Sequence, residues 1–333
     1  MSDHVEAPLV LFLAFVLDML MGDPEYDWHP VRIMGRGIMR CLSLLKRIGI
    51  KGRAAGCVLT LVMVFISLSV YALIRFILLM AHPIISFLFD LFVCYSCLAL
   101  KDLFDHIRPV IKALESEDLY EARKNTGMVV GRDVNTLDMA GVTRAAIETM
   151  AENFVDGFLS PVFWYVAGCV AAKTIGVSPV SAGISLMIVF KAASTLDSMI
   201  GHKNEEFLKI GWAGARLDDA MNYMPARLSL IILFFGSWLN RLHPIDGLRV
   251  AIRDRLKHDS PNSAHAESFV SGALNIRLGG PTKYTEGIKD RPWLGSEYPD
   301  PNVKHITMSM GLLKISSWIA IIIAGVILFS QDI

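Results

Sequence analysis

"AAGCVLTLVMVFISLSVYALI", residues 54–74, is a run of 21 residues without a charge. At about 1.5 Å per residue, a helix of that length crosses a hydrocarbon core of about 30 Å. Lipid offers the backbone no hydrogen bonds, so a lone spanning segment must be helical. The stretch therefore predicts a transmembrane helix and sets the class of the chain.

The neighbouring runs extend this reading. Residues 76–100 carry only His82 and Asp90, follow Arg75, and offer a turn at Pro83, so 54–80 and 84–100 form a hairpin. Residues 312–330 make a C-terminal span, with Lys314 reaching back to the interface. The run 8–22 contains Asp18 and follows acidic residues, which suits an anchor and not a removable signal peptide. Residues 158–190 are interrupted by Lys173, Gly176 and Pro179. Arms of about 15 residues there fit either a re-entrant hairpin or two crossings. The run 228–240 either crosses or lies in the interface. The expected fold is an all-α, polytopic integral membrane protein, a single membrane-embedded domain over 1–333. It has about four to six apolar helical segments, and the polar blocks 101–157, 191–227 and 241–308 form cytoplasmic helical loops between them.

Composition agrees. Of 333 residues, 53% are hydrophobic and 19% charged, and the mean hydropathy is +0.46, too apolar for an ordinary soluble domain. Lys+Arg and Asp+Glu balance at 32 each, which gives no basic field for nucleic acid and no acidic tail. The five cysteines, Cys41, Cys57, Cys94, Cys97 and Cys169, are odd in number and four lie in or beside apolar runs, which gives no disulfide framework or zinc pattern. The Cys94–Cys97 C-x-x-C lies inside an apolar segment and reads as buried thiols. Arg32, Arg36, Arg40, Lys46, Arg47, Lys51 and Arg53 occur with no acid among them, which places that loop in the cytoplasm. The block up to Asp156 then also faces the cytosol.

Polar clusters border the apolar runs. In "ETMAENFVDGFLSP" (148–161), Glu148, Glu152 and Asp156 fall at i, i+4 and i+8 with Asn153 beside them. Such a stripe repels itself unless a cation is present, and oxygen ligands suit Mg²⁺, so these three acids are the candidate metal ligands. "GDPEYDWHPVRIMGR" (22–36) offers Asp23, His29, Arg32 and Arg36, two arginines a turn apart for a phosphate or carboxylate. "KAASTLDSMIGHKNEEF" (191–207) holds Lys191, Asp197 and Asn204 directly after an apolar run. In "GWAGARLDDAMNYMPARL" (211–228), Asp219 and Asn222 would share a helix face ahead of Arg227. "SPNSAHAESFVSGALNIRLGGP" (260–281) carries Asn262, Glu267 and Arg277, with Gly279 and Gly280 able to bring backbone amides to an anion. Neither standard nucleotide-binding loop occurs, nor does a zinc-protease or hydrolase motif.

The wording of these blocks, together with "VGRDVNTLD" and "PWLG", resembles in order the CobD/CbiB family of adenosylcobinamide-phosphate synthases, from about residue 18 to 295. Residues 40–100 match only as generic hydrophobic sequence, and relatives often carry an aromatic residue where this chain has "SAHAES". The resemblance implies a cobalamin-biosynthesis ligase of the cell membrane with its active site on the cytoplasmic side. Its expected substrates are adenosylcobyric acid, the corrinoid, and aminopropanol phosphate or free aminopropanol, with ATP as co-substrate and Mg²⁺ as cofactor. Glu148, Glu152 and Asp156 would hold Mg²⁺, and Asn153 would ligate or orient. Lys191 or Arg227 would stabilise the transferring phosphoryl group, and Asp197 or Asp219 would take the ammonium proton. Arg32, Arg36 and Arg277 would meet the amine's phosphate and the corrin periphery. The bilayer is an obligatory partner. A homo-oligomer and association with other late cobalamin-pathway membrane enzymes are further expectations. The competing reading is a non-catalytic membrane sensor like the AmpE-type relatives. Retention of the intramembrane acids, Lys191 and "RLDDAMNYMPAR" together argues against it, and the absence of an internal repeat argues against a transporter.

Overall fold

The computed structural model describes residues 3–23, 26–131, 133–201, 207–284, 287–289 and 291–330. Five of its helical runs are long and apolar enough to cross a membrane: Gly52–Ala81, Pro83–Glu115, Met139–Ile175, Pro179–Ile200 and Val303–Ser330. The expected runs 54–80, 84–100, 158–190 and 312–330 each fall within this set. The 228–240 run ends a longer helix that is not in it. The chain clusters into two compact units. One is Met1–Ala99, Ser160–Met221 and Ile321–Ile333; the other is Leu100–Leu159 and Asn222–Ala320.

The first unit is a helical bundle. It contains α1 (Asp3–Met21), α2 (Pro30–Arg47), α3 (Gly52–Ala81), α4 (Pro83–Ser96), α8 (Ser160–Ile175) and α9 (Pro179–Ile200). Each break has a local cause. His82 turns α3 into α4 ahead of Pro83, its ring nitrogen accepting the Ile84 amide at 3.2 Å. Gly176, at φ 68°, and Pro179 reverse α8 into α9. The α8–α9 pair is close-packed because Gly168 meets Gly183: a Cβ on Gly168 would stand 2.7 Å from the Gly183 Cα. Small residues at such a seam let helices associate in lipid, where the hydrophobic effect supplies no drive. Ile38, Leu42 and Leu45 of α2 bury against Leu59 and Met63 of α3 and Leu196 of α9. The basic segment expected as a loop is thus an amphipathic helix.

Polar contacts mark the two ends of this bundle. At one, buried Asp90 receives Arg75 Nε at 2.9 Å and the Tyr71 hydroxyl at 2.8 Å, and Arg75 Nη2 lies 3.5 Å from Ser178 Oγ. The α3–α4 and α8–α9 turns therefore share an end. At the other, the Tyr95 hydroxyl donates to the Gly22 carbonyl. Cys94 and Cys97 are buried as expected; Cys169 is buried too, and Cys57 is exposed.

The second unit holds α5 (Leu100–Glu115), α6 (Leu119–Gly127), α7 (Met139–Phe154), the later part of α10 (Trp212–Leu239), α11 (Pro244–Asp254), α12 (Ser263–Leu274) and the start of α13 (Val303–Ser330). Asp118 and Asp138 cap α6 and α7 through the amides of Glu121 and Gly141, at 3.0 and 2.7 Å. Residues 264–274 of α12 are all buried. Where the sequence suggested helical loops only, the 278–294 stretch forms short antiparallel ladders. β1 (Leu278–Gly279) pairs with β4 (Trp293–Leu294), and β2 (Thr282–Tyr284) with β3 (Gly287–Lys289).

Between α7 and α8 the helix opens into a π turn over Val155–Leu159. The sequence supplies the reason. Pro161 has no N–H for the Gly157 carbonyl four residues back, and its ring would press on that carbonyl, so the turn ahead of it widens.

Candidate active site

The predicted site residues fall in both units. In the first unit, "GDPEYDWHPVRIMGR" turns α1 into α2, with Pro30 at the first helical position where a missing N–H costs nothing. His29 before it is buried, its Nε2 3.1 Å from Asp23 Oδ1 and its ring edge-on to Tyr26. Burial pushes its pKa down, Asp23 pulls it up, and the charges of Arg32 and Lys191 lower it again. The net direction is downward, so the ring is neutral at pH 7. The same electrostatics bring Lys191 to this end of the bundle. It does not follow the apolar helix, as expected, but sits inside α9, which continues to Ile200. Arg36 donates to the Asp27 carbonyl. Asp197 lies two turns further along α9, and Asp219 on α10 faces Arg216 at 4.0 Å. Asn204 lies outside the described residues.

In the second unit, the acidic stripe divides into two environments. Glu148 is 2% exposed. Its Oε1 accepts the Gly279 amide at 2.7 Å and its Oε2 lies 3.8 Å from Arg291 Nη1. Glu152 and Asn153 are exposed, Asn153 donating to the Thr149 carbonyl at 3.0 Å, and Asp156 is half-buried in the π turn. Because Glu148 turns inward, the three acids do not close on one ion. Among the described residues, no three His, Cys, Asp or Glu side chains stand together as a metal group. The remaining pair, Glu152 and Asp156, is one turn apart, Glu152 exposed and Asp156 half-buried. That suits Mg²⁺, which commonly takes one or two carboxylates and completes its shell with substrate phosphates and water.

Of the two glycines expected to admit an anion, Gly279 meets the Glu148 carboxylate, while the Gly280 amide donates to the Pro292 carbonyl. Gly279 and Gly280 have φ of 77° and 86°, open to glycine alone at little cost, and a Cβ on Gly280 would stand 2.5 Å from the Trp293 ring. From Glu148, contacts run through Arg291 to His258, whose Nδ1 is 3.2 Å from Arg291 Nη2. His258 Nδ1 also lies 3.3 Å from Ser263 Oγ and 3.7 Å from Oε1 of buried Glu267. Arg227 lies 3.3 Å above the Tyr223 ring and points Nη1 at Asn262 Oδ1, 3.3 Å away, while Asn222 is buried on the same helix. Buried His265 carries Nδ1 3.2 Å from the Asn262 carbonyl. Burial, and then the charge of Arg227, push its pKa down to about 4. With Nδ1–H donating to that carbonyl, the neutral ring keeps a lone pair on Nε2.

Arg277 is engaged within the protein. Its Nε and Nη2 hold both oxygens of Asp300 at 2.9 and 2.6 Å, Arg144 joins the same carboxylate, and both guanidinium groups stack on Trp293. The Arg277 hydrogen bond is the main reason that Asp300 titrates below the usual carboxylate range. Alongside, Asp254 accepts from Arg253, Lys257 and the Gly295 amide. Burial pushes it up, but these partners outweigh burial and leave it at about 2.

Sequence reasoning brought Glu148, Asn262, Glu267, Arg227 and Arg277 into view. It missed Arg291, His258, His265, Arg144, Asp254 and Asp300. Arg291 stood directly before the "PWLG" block and His258 two residues before "SPNSAHAES". Asp254 and Asp300 stood in stretches that resembled ordinary charged surface.

Residues 11–313 match the family model described as CobD/Cbib protein. The chain is 40% identical over 288 residues to Cobalamin biosynthesis protein CobD of Pelobacter propionicus, covering 86% of this chain and 85% of the relative. It is 37% identical over 316 residues to Cobalamin biosynthesis protein CbiB of Salmonella typhimurium, covering 93% of each. Against CobD of Clostridium perfringens the identity is 33% over 318 residues, covering 95% and 96%. No solved structure gives a significant match.

Proposed function

The chain belongs to the CobD/CbiB family of cobalamin biosynthesis proteins, and from that premise we propose that it is an ATP- and Mg²⁺-dependent amide ligase. It joins the propionate carboxylate of adenosylcobyric acid to the amine of (R)-1-aminopropan-2-ol O-phosphate, or of free aminopropanol. The products are adenosylcobinamide phosphate or adenosylcobinamide. The single observation that carries the reading is the match along nearly the whole of both chains to proteins named for cobalamin biosynthesis. Its five candidate membrane-spanning helices make it a multi-pass membrane protein. We place the chemistry on the cytoplasmic side, where the arginines of α2 lie.

A carboxylate is a poor electrophile. Transfer of the γ-phosphoryl group of ATP to the propionate oxygen gives an acyl phosphate and ADP. The neutral amine then attacks the carbonyl carbon, and phosphate leaves as the amide forms. Glu152 and Asp156 would hold Mg²⁺, which when bound neutralises charge on the nucleotide phosphates. Asn153 orients at their side. Glu148 acts one step back, fixing the Gly279 turn through its amide. Either Arg227, stacked on Tyr223 and oriented by Asn262, or Lys191 offers positive charge to the phosphoryl group. Asp197 or Asp219 takes the ammonium proton. Arg32 and Arg36 bind the amine's phosphate, with Asp23 holding His29 in the turn that precedes them. Asn204 serves the corrin's amide-rich periphery, while Asn222 and Glu267, both buried, and Arg277 act from within the protein, Glu267 through His258 and Arg277 through Asp300.

The test is direct. Detergent-purified protein with adenosylcobyric acid, ATP, Mg²⁺ and either amine should yield a corrin heavier by the condensed amino alcohol, read by mass spectrometry. Glu152→Gln and Asp156→Asn should each lower turnover by at least about 10- to 100-fold, the loss typical of disturbing even the outer partners of a metal site. Folded protein that condenses neither amine would refute the ligase reading. Unchanged turnover in both variants would refute the metal assignment alone.

A further inference from the structure

We propose that α11 lies in the plane of the membrane surface, with its outer apolar stripe among acyl chains and its arginines on the headgroups of anionic phospholipid. Two faces of this helix are apolar, and the protein covers only one. Gly247, Val250 and Ala251 are buried with Asp254 on the side of α12, where Gly247 abuts the Phe269 ring. On the opposite side Ile245, Leu248 and Ile252 recur at i, i+3 and i+7, one stripe, and Leu256 follows in the turn just past the helix. They are 67%, 36%, 61% and 66% exposed. A soluble helix of this length shows one apolar face; a second, lying outward, needs a nonaqueous surface.

Charge identifies that surface. Residues 241–257 contain five basic residues, Arg241, Arg249, Arg253, Arg255 and Lys257, and two acids, Asp246 and Asp254. Asp254 is buried with Arg253 and Lys257 on it, away from the stripe. Arg249 and Asp246 pair beside the stripe, and Arg241 and Arg255 stand just before and just after the helix. A second copy of this face would set these arginines against one another, whereas anionic headgroups complement them.

The chain also arrives from an apolar helix. Within this unit α10 exposes Ile231, Phe235, Trp238 and Leu239. It ends with Trp238 64% exposed, and Arg241, at φ 55°, then bends the backbone into α11. Tryptophan and arginine at such a junction are the residues that anchor a segment at the headgroup level. The inference rests on the membrane character of the chain and is independent of the ligase assignment.

The test uses the full chain with Cys41→Ser and Cys57→Ala, which leaves only buried native thiols, and Ile252→Cys carrying a polarity-sensitive fluorophore. The protein is reconstituted in vesicles of phosphatidylcholine, alone or with phosphatidylglycerol, containing nitroxide lipids labelled near the headgroup or near the methyl end. The expected result is blue-shifted emission, quenched more by the shallow nitroxide than by the deep one, and quenched more strongly when phosphatidylglycerol is present. Arg249→Gln with Arg255→Gln should remove that phosphatidylglycerol-dependent increment. Free phosphate added to phosphatidylcholine vesicles should not reproduce it, which separates lipid from a dissolved anion. A second reporter, Leu256→Cys, guards against one labelled variant failing to fold. Water-like, unquenched emission at both positions would overturn the proposal. So would blue emission insensitive to lipid nitroxides and rising with protein density, which would mean a second copy.

Discussion

Replacing Glu148 separates two roles that one carboxylate in an acidic stripe could play. Its side chain is almost wholly buried, accepting the Gly279 amide at 2.7 Å and facing Arg291 at 3.8 Å. Glu148→Ala removes the acceptor and takes a carboxylate away from a largely buried guanidinium. Breaking one partner out of a buried pair costs about 3–5 kcal/mol. Glu148→Gln keeps a carbonyl oxygen for the amide and loses only the charge. Hydrogen bonds to charged groups contribute about 1.5–3 kcal/mol against about 1 for neutral ones, so this variant should lose about 0.5–2 kcal/mol. Thermal unfolding of the detergent-solubilised protein should therefore rank the parent above Glu148→Gln and that above Glu148→Ala. Turnover as a function of Mg²⁺ supplies the second readout. A residue that positions the Gly279 turn lowers kcat and leaves the Mg²⁺ half-saturation where it was, whereas Glu152→Gln raises that half-saturation. The reasoning fails if Glu148→Gln unfolds with the parent while its Mg²⁺ half-saturation moves as far as that of Glu152→Gln.

Other substitutions probe the surrounding architecture. Asp254 titrates at about 2, below the ordinary value of 3.8, so its partners stabilise the fold above pH 4 and that contribution disappears as pH falls from 4 toward 2. The stability gap between the parent and Asp254→Asn, measured by denaturant unfolding at each pH, should be constant from neutral pH to about 4 and narrow below it; a gap independent of pH across that range would contradict the ion-pair assignment. Gly168→Leu would force its Cβ to within 2.7 Å of the Gly183 Cα and push α8 from α9. Overpacking of this kind costs about 1–3 kcal/mol or more, so the folded yield should drop, while Gly131→Leu, at a site with no atom within 4 Å, should express normally.

The membrane helices were legible because charge-free length is a local property. A run such as 54–74 needs no partner to be recognised, and the α3–α4 hairpin followed from His82 and Pro83. The end of α9 was not legible, since Lys191 resembles a helix boundary until one sees polar residues from the α1–α2 turn near it. Nor was the fate of Glu148. Its helical spacing with Glu152 and Asp156 was correct, but spacing along one helix cannot say which acid turns inward to an amide 131 residues away. Gly279, of the pair with Gly280, was read rightly as a place where an anion approaches a backbone amide. What no local pattern could reveal was that the protein supplies that anion itself. Arg277 shows the same limit, because Asp300, which fills its fork, lies 23 residues further along.

The π turn at Val155–Leu159 has a consequence for reading lengths of chain. A wide turn holds one residue more than an ordinary one, so the helical run Met139–Ile175 contains a phase step, like the offset between the two scales of a vernier. Removing a single residue from the turn, together with Pro161→Ala, would take out the extra residue and make the backbone hydrogen-bond ladder continuous through the junction. A one-residue gap at this point in a pairwise comparison would thus mark a change of mechanical phase within an unbroken helix, and a graft of sequence across it must carry Pro161 and its turn as one piece.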